Sequence, residues 1–500
     1  MSGPVASVAV VGRDAPLWLA AAALQRALGR TGLRVHAVEL GSRLADVDAY
    51  AAVPTLGSMN RLLGMDERLV LEVCRGTPMV GQRFSNWAKS APAFMLAYDD
   101  EPPPGELPFV QYWAKAALAG LRVGFEEFSF GSACARLNAV PVPSDDASPV
   151  SASFGYHLHA PAYAELVKQL ALRLGVEIAA AGVTHIDIAD DRIEGVDLAD
   201  GSRLAADLYI DASGRDALLL RQLASARFES WSEWLPCNRM LAASGPRLSQ
   251  LPAFSQISAF GAGWVGQYPL QDRTAIVAVY NSAAVSDAEV VELAGVIARS
   301  PITGEGVVSD LRPGIQGVPW IGNCIAVGEA AIAVDPVDAV ELHVTHGCIS
   351  HLMTVFPASA DEFPEADAYN RAIRCFGSNL RDFQAAHYRL NRRFDEPMWD
   401  TVRNAAPPPS LKRKIDMFSA RAAVSLNDEE SFHEQSWAAL LLGSGIMPES
   451  YDPRVDAIPA EAHVARVQQR LRDVAALARQ MPPVEQFLGL EQPSPALVGG

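Results

Sequence analysis

Residues 5–39 read VASVAVVGRDAPLWLAAAALQRALGRTGLRVHAVE, and this stretch decides the fold class. Its first seven residues are a valine-rich apolar run, the pattern of a strand buried in a parallel sheet. Gly12 ends the run. From Pro16 to Arg30 alanine and leucine dominate, with no interior glycine or proline before Gly29, so a helix is expected with Pro16 near its first turn. Residues 33–39 form a second strand ending on Glu39. The unit is strand–helix–strand at dinucleotide-binding size, with an acidic side chain where a ribose hydroxyl would be held. The expected class is α/β, built on a Rossmann-like sheet.

The same architecture continues along the chain. Residues 161–174 read as a helix and 176–181 as strand, followed by alternating strands with turn signals at Asp190-Asp191 and Asp200-Gly201. DLYIDASG (207–214) is an apolar run leading into a turn, and GNCIAVGEAAIAVDP (322–336) is a buried strand running into a glycine and a helix start. From Asp361 onward the pattern is helical. These readings give a nucleotide-binding-fold domain over 1–350, with an inserted β-sheet roughly at 85–160 and 220–310. A helical region at 351–490 and a loose tail at 491–500 complete the chain.

Composition narrows the function classes. The 500 residues are 49% hydrophobic and 20% charged, with 41 Lys and Arg against 58 Asp and Glu, a net charge of −17. Such a chain is repelled by phosphate backbones and anionic lipid, so neither nucleic acid nor membrane is an expected partner. Six scattered cysteines without a CxxC pair read as reduced thiols of a cytoplasmic protein. The N-terminus has no basic region or small-residue cleavage site of a leader, and the longest uncharged stretch, Leu248 to Gln271, is broken by glycine and proline.

Segments along nearly the whole chain carry a resemblance. PTLGSMNRLLGMDE (54–67), RFSNW (83–87), GYHLHAPAYAELV (155–167), VDPVDAVELH (334–343), HYRLNRRFDEPMWDTVR (387–403) and SWAALLLGSGIMPESYDP (436–453) occur in one order and spacing. By these the chain resembles the flavin-dependent tryptophan halogenases, within the FAD-dependent monooxygenases. The resemblance implies FAD as cofactor, a flavin reductase as supplier of its reduced form, an aromatic or indole-like molecule or peptide as substrate, and a homodimer. It also implies that hypohalous acid travels through a tunnel to the substrate, where a lysine and a glutamate polarise it.

The chain departs from that pattern at chemically decisive positions. Alignment on RFSNW puts Met79 at the lysine, and a thioether has neither charge nor proton to donate. Of the five lysines, only Lys89 and Lys115 lie near enough in sequence to replace it. The glutamate is Asp338, one methylene shorter and followed by Ala339, and is the expected catalytic carboxylate. The glycine-rich loop reads Gly12-Arg13-Asp14-Ala15-Pro16-Leu17-Trp18: Asp14 brings bulk and charge where backbone should approach a diphosphate, Leu17 crowds the helix–strand contact, and Arg13 offers a phosphate partner. The family's segment before the lysine reads AYAAVP (49–54), and the second tryptophan of its WxWxIP signature is Gly266.

Retained cofactor-binding candidates are Gly12, Arg13, Glu39, Asp211, Gly214, Gly328, Asp335 and Pro336, with Ser213 in the same turn. His343, His346 and Cys348, with His157 elsewhere, supply metal-ligand chemistry. On a helix, however, His343, His346 and His351 spread over roughly 140° at 100° per residue, and core histidines are the simpler reading. Trp231, Trp234, Trp264 and Tyr268 are candidates for an aromatic cleft, and DDEPPP (99–104) reads as a surface loop. Three accounts stand. The first is a divergent halogenase-like oxidoreductase of small-molecule or peptide biosynthesis that has lost ordinary tryptophan chlorination. The second is a non-catalytic halogenase-fold partner of an active homologue that no longer binds FAD. The third keeps catalysis but exchanges the chemistry, for a metal at His343, His346 and His157 or for a flavin monooxygenase reaction that needs no lysine.

Overall fold

The computed structural model describes residues 3–89, 92–101, 105–142, 150–179 and 182–490. The opening unit forms as the sequence indicates: strand β1 (Ser7–Gly12), helix α1 (Asp14–Leu28) and strand β2 (Arg34–Glu39). α1 begins two residues before Pro16, because proline lacks an N–H only where the first helical turn needs none. β1 pairs in parallel with β2 on one side and with Leu208–Ala212 on the other. The full sheet runs Trp320–Ile321, Cys324–Ala326, Leu208–Ala212, β1, β2, Glu177–Ile178. This is the doubly wound, Rossmann-like arrangement, and β1 is buried along its whole length.

Local pattern misjudged some lengths. Of the strand expected at 176–181, the described residues form Glu177–Ile178, paired with His36 and Ala37, and residues 180 and 181 lie outside the described ones. The stretch 322–336 breaks after Ala326 at Gly328, which has φ 61°, and the following helix starts only at Glu341.

A second, seven-stranded sheet stands over the first domain, in the order Thr303–Asp310, Arg239–Pro246, Arg273–Tyr280, Gly263–Pro269, Ser255–Phe260, Gly81–Ser85, Phe94–Ala97. The span 85–160 contributes little to it. Residues 109–136 are mainly helical, and Gly155–His159 joins Ala49–Ala52 and Thr77–Met79 in a separate three-stranded sheet. That small sheet brings Met79, His157 and Ala49–Ala52 together. From Glu365 onward the elements are helices, led by the 25-residue helix Glu365–Arg389. The tail at 491–500 lies outside the described residues. Among those residues no helix is long and apolar enough to cross a membrane.

Candidate functional site

A cavity of about 630 Å³ opens at the carboxyl ends of β1 and Leu208–Ala212, where ligands of doubly wound sheets sit. Of the cofactor candidates, Arg13, Gly214 and Pro336 line it. The others shape it from behind. A Cβ on Gly12 would lie 2.4 Å from the Ala212 carbonyl oxygen, so that glycine serves the contact between strands. Asp211 is fully buried and accepts hydrogen bonds from the Ser213 N–H and hydroxyl and from the Leu219 and Leu220 N–H groups, holding the turn. Asp335 caps the following turn through the Val337 N–H and accepts from the Tyr388 hydroxyl at 2.7 Å; burial pushes its carboxyl up to about 6. Gly328 lets its turn approach helix Glu341–Thr354, since a Cβ there would meet the Thr345 hydroxyl at 2.8 Å. Glu39 is held by Lys168 at 2.6 Å.

The altered loop still presents its backbone to the cavity. Asp14 adopts φ 56°, the left-handed conformation that glycine favours, and its carboxylate is drawn aside by the Ser42 hydroxyl and the Arg43 N–H. Pro16 has no N–H and Leu17 donates to the Arg13 carbonyl, so the free N–H groups of the first turn are those of Asp14 and Ala15, at the end of α1 where Asp14 and Pro16 line the cavity. Leu17 packs fully buried with the helix intact. Arg13 lies across the mouth, donating to the Ser213 and Gly41 carbonyls and to Asp216. Gly214, at φ 75° with nothing nearer to its Cβ position than Glu329 at 3.7 Å, leaves backbone open to a ligand. The volume, the exposed helix start and the open Gly214 turn fit a flavin nucleotide.

Glu341 also lines this cavity, and burial, reinforced by Glu329, pushes its carboxyl up to about 7. A raised folded-state value means that the native protein holds the proton more tightly than the unfolded chain. Its contribution is therefore intact below about pH 4.5 and is lost as pH rises to about 7, on the order of 3 kcal/mol at completion. Glu341→Gln should leave the melting temperature unchanged near pH 4.5 and raise it at pH 8, as thermal melts across that range would record.

A second cavity, of about 240 Å³, lies beyond the first. The 49–54 segment joins the two, with Ala49 and Tyr50 lining one and Val53 and Pro54 the other. The 336–340 turn does the same through Pro336 and Val340, and Asp338 sits midway along it. The Asp338 carboxylate is 1% exposed. Its Oδ1 accepts from His387 Nε2 at 2.9 Å, and the Trp87 indole N–H donates to His387 Nδ1 at 3.3 Å. An indole can only donate, so Nδ1 is the acceptor and the imidazole proton points at Asp338. Asp338 Oδ2 is buried without a hydrogen-bond partner among the described residues, as are the hydroxyls of Tyr98 and Tyr268. Tyr268 lines the first cavity and Tyr98 the second; burial, with Asp338 among the contributing charges, raises both phenols. His387, Trp87 and Tyr98 escaped the sequence reading, although HYRLNRRF and RFSNW flagged two of their segments.

Met79 is fully buried, with its sulfur 2.9 Å from the Ser255 hydroxyl. Around it runs a neutral chain. Thr77 donates to the Pro269 carbonyl, leaving its oxygen to accept from His157 Nδ1, and His157 Nε2 lies 2.8 Å from Ser255. Burial holds His157 down at about 3, so no cation stands there. Lys89 and Lys115 do not replace it, being paired with Glu396 and Asp456.

The structure separates the histidines. His343 bonds to the Thr55 and Ser431 hydroxyls, and His157 to Thr77 and Ser255, so neither ring has a nitrogen left for a shared metal. Among the described residues no set of three or more His, Cys, Asp or Glu is placed to hold an ion. The aromatic cleft also fails to form. Trp231 and Trp264 are core residues, and Trp234 lies under Arg381; only Tyr268 of that set faces a cavity. Asp99, Asp100 and Glu101, read as surface loop, line the second cavity; residues 102–104 lie outside the described ones.

The family model for tryptophan halogenase matches residues 7–460, and the chain belongs to that family. It is 25% identical over 542 aligned positions to tryptophan 7-halogenase RebH of Lentzea aerocolonigenes, covering 98% of this chain and 99% of that protein. Among solved structures it is similar to BrvH, a flavin-dependent halogenase from Brevundimonas sp. BAL3, with TM-score 0.89 and 26% identity over 97% of this chain and 99% of that one. It is likewise similar to Xcc4156, a flavin-dependent halogenase from Xanthomonas campestris, with TM-score 0.91 and 26% identity over 98% and 100%.

Proposed function

We propose that this chain is a flavin-dependent halogenase-type oxidoreductase of small-molecule or peptide biosynthesis that no longer performs ordinary tryptophan chlorination. The observation carrying this reading is Asp338, a buried carboxylate between two cavities, in a site where the family's lysine position is Met79 within a neutral hydrogen-bond chain. Arg13, the first turn of α1, Gly214 and Pro336 would hold FAD, which when bound and reduced supplies the electrons that activate oxygen. A separate flavin reductase is the expected electron source.

The chain's own groups divide the remaining work. His387 directs its Nε2–H at Asp338 Oδ1, leaving Oδ2, on the turn between the two cavities, as the acceptor not engaged among the described residues. Tyr98 and Tyr268 are the unpartnered hydroxyl donors near that carboxylate, and they donate without supplying positive charge. The Met79 sulfur and the neutral Thr77, His157 and Ser255 groups around it carry no positive charge with which to stabilise an anion.

Two measurements on the purified protein test this. Titration with oxidised and reduced FAD should give saturable binding. An assay with flavin reductase, NADH, FAD, halide and tryptophan should give no chlorotryptophan above the enzyme-free level; a robust product would overturn the proposed loss. The second reading, a non-catalytic partner protein, draws on Glu39 and Arg13 being tied to protein groups, and absence of binding by either flavin form would favour it.

A further inference from the structure

We infer that the second cavity selects a flat aromatic ligand carrying an amine and no carboxylate, an arylalkylamine cation in preference to a free amino acid or an aromatic acid. This deepens the oxidoreductase reading by naming its substrate class, but it concerns binding and stands apart from flavin.

The walls set the shape. Val53, Pro54 and Val340 are apolar, and the Phe432 ring is fixed by stacking on Phe383 at 3.6 Å between centroids. A volume of about 240 Å³ suits one small ring system with a short chain. The Tyr98 hydroxyl, buried and without a hydrogen-bond partner among the described residues, offers an oxygen to a ring N–H.

The charge sets the class. Asp99, Asp100 and Glu101 line the cavity, and no lysine or arginine is among the described residues around it. All five lysines are committed elsewhere, to Glu396, Asp456, Glu39, Asp416 and Glu430. Of the two lining histidines, His343 is held neutral, pushed down to about 3 by burial, with both nitrogens on hydroxyls. His433 is paired with Glu101 at 2.9 Å. Asp99 is satisfied by the Ser129 hydroxyl and the Gly131 N–H, and burial raises its carboxyl. Asp100 gives one oxygen to Ser153 and is otherwise exposed. Even with Asp99 neutral and His433 protonated, the lining keeps a net negative charge. A ligand carboxylate would meet repulsion and find His433 already engaged by Glu101, whereas an ammonium would find acceptors.

The test is calorimetric titration of the full chain, without flavin, at pH 7 and low salt, using tryptamine, indole, L-tryptophan and indole-3-propionate. Tryptamine should bind on the order of tenfold or more tighter than indole-3-propionate, with tryptophan between them, and added salt should narrow the gap. The double variant Asp100→Asn/Glu101→Gln, at the exposed rim, should shrink the ratio to within about threefold while leaving indole binding unchanged. Tyr98→Phe should weaken indole. Propionate or tryptophan binding as tightly as tryptamine would overturn the inference, and so would no saturable binding by any of the four. Loss of flavin binding with this ranking intact would instead sink the oxidoreductase reading alone.

Discussion

His387→Ala is expected to cost about 3–5 kcal/mol of stability. The side chain is buried, with its ring stacked on Phe84 at 4.6 Å and edge-on to Phe383, so truncation leaves a cavity that rigid aromatic neighbours cannot fill. It is also the hydrogen-bond partner of Asp338, whose other oxygen already has none among the described residues. Removing it strands a buried carboxylate and the Trp87 N–H together. For a chain of this length the melting temperature should fall by about 3–5 °C, scaling the entropy of unfolding per residue. Asp338→Asn in the same background should recover part of the loss, because the stranded charge is gone. A drop below one degree in the single variant would mean that the imidazole does not support the carboxylate.

Gly214→Val should weaken FAD binding by at least about tenfold while lowering the melting temperature by only a few degrees. Gly214 holds φ 75°, where a β-branched residue pays on the order of 1–3 kcal/mol. Space is not the obstacle, since the added Cβ meets only Glu329, at 3.7 Å. The methyl groups instead enter the volume offered to the ligand, so affinity suffers more than folding. Flavin titration of Gly214→Ala and Gly214→Val should show a graded loss. Equal affinity in both variants and the native chain would place the ligand away from this turn.

Much of the scaffold was legible because its signals are local. β1, α1 and β2 follow from a valine run, an alanine-rich helix and their spacing, all within 35 residues. The loss of the lysine was equally plain, since side-chain identity at Met79 needs no coordinates. Glycine roles were less legible: Gly12 and Gly328 look alike in sequence, yet one serves strand pairing and the other a turn against a helix. Asp14 read as damage because its charge is visible in sequence, whereas its left-handed backbone and its tether to Ser42 are not.

By itself, then, the sequence determined the α/β class, the family pattern, the missing cation and the surviving carboxylate, all properties of residue type and short-range order. Tertiary structure alone decided which groups meet. Trp87, Asp338 and His387 are separated by up to 300 positions and converge because two sheets and a long helix pack around one turn. The same packing sends Trp264 into the core, gives His157 and His343 separate hydroxyl partners, and turns an acidic stretch that read as loop into a cavity wall. Burial and hydrogen-bond pairing depend on neighbours distant along the chain, and no local periodicity encodes them.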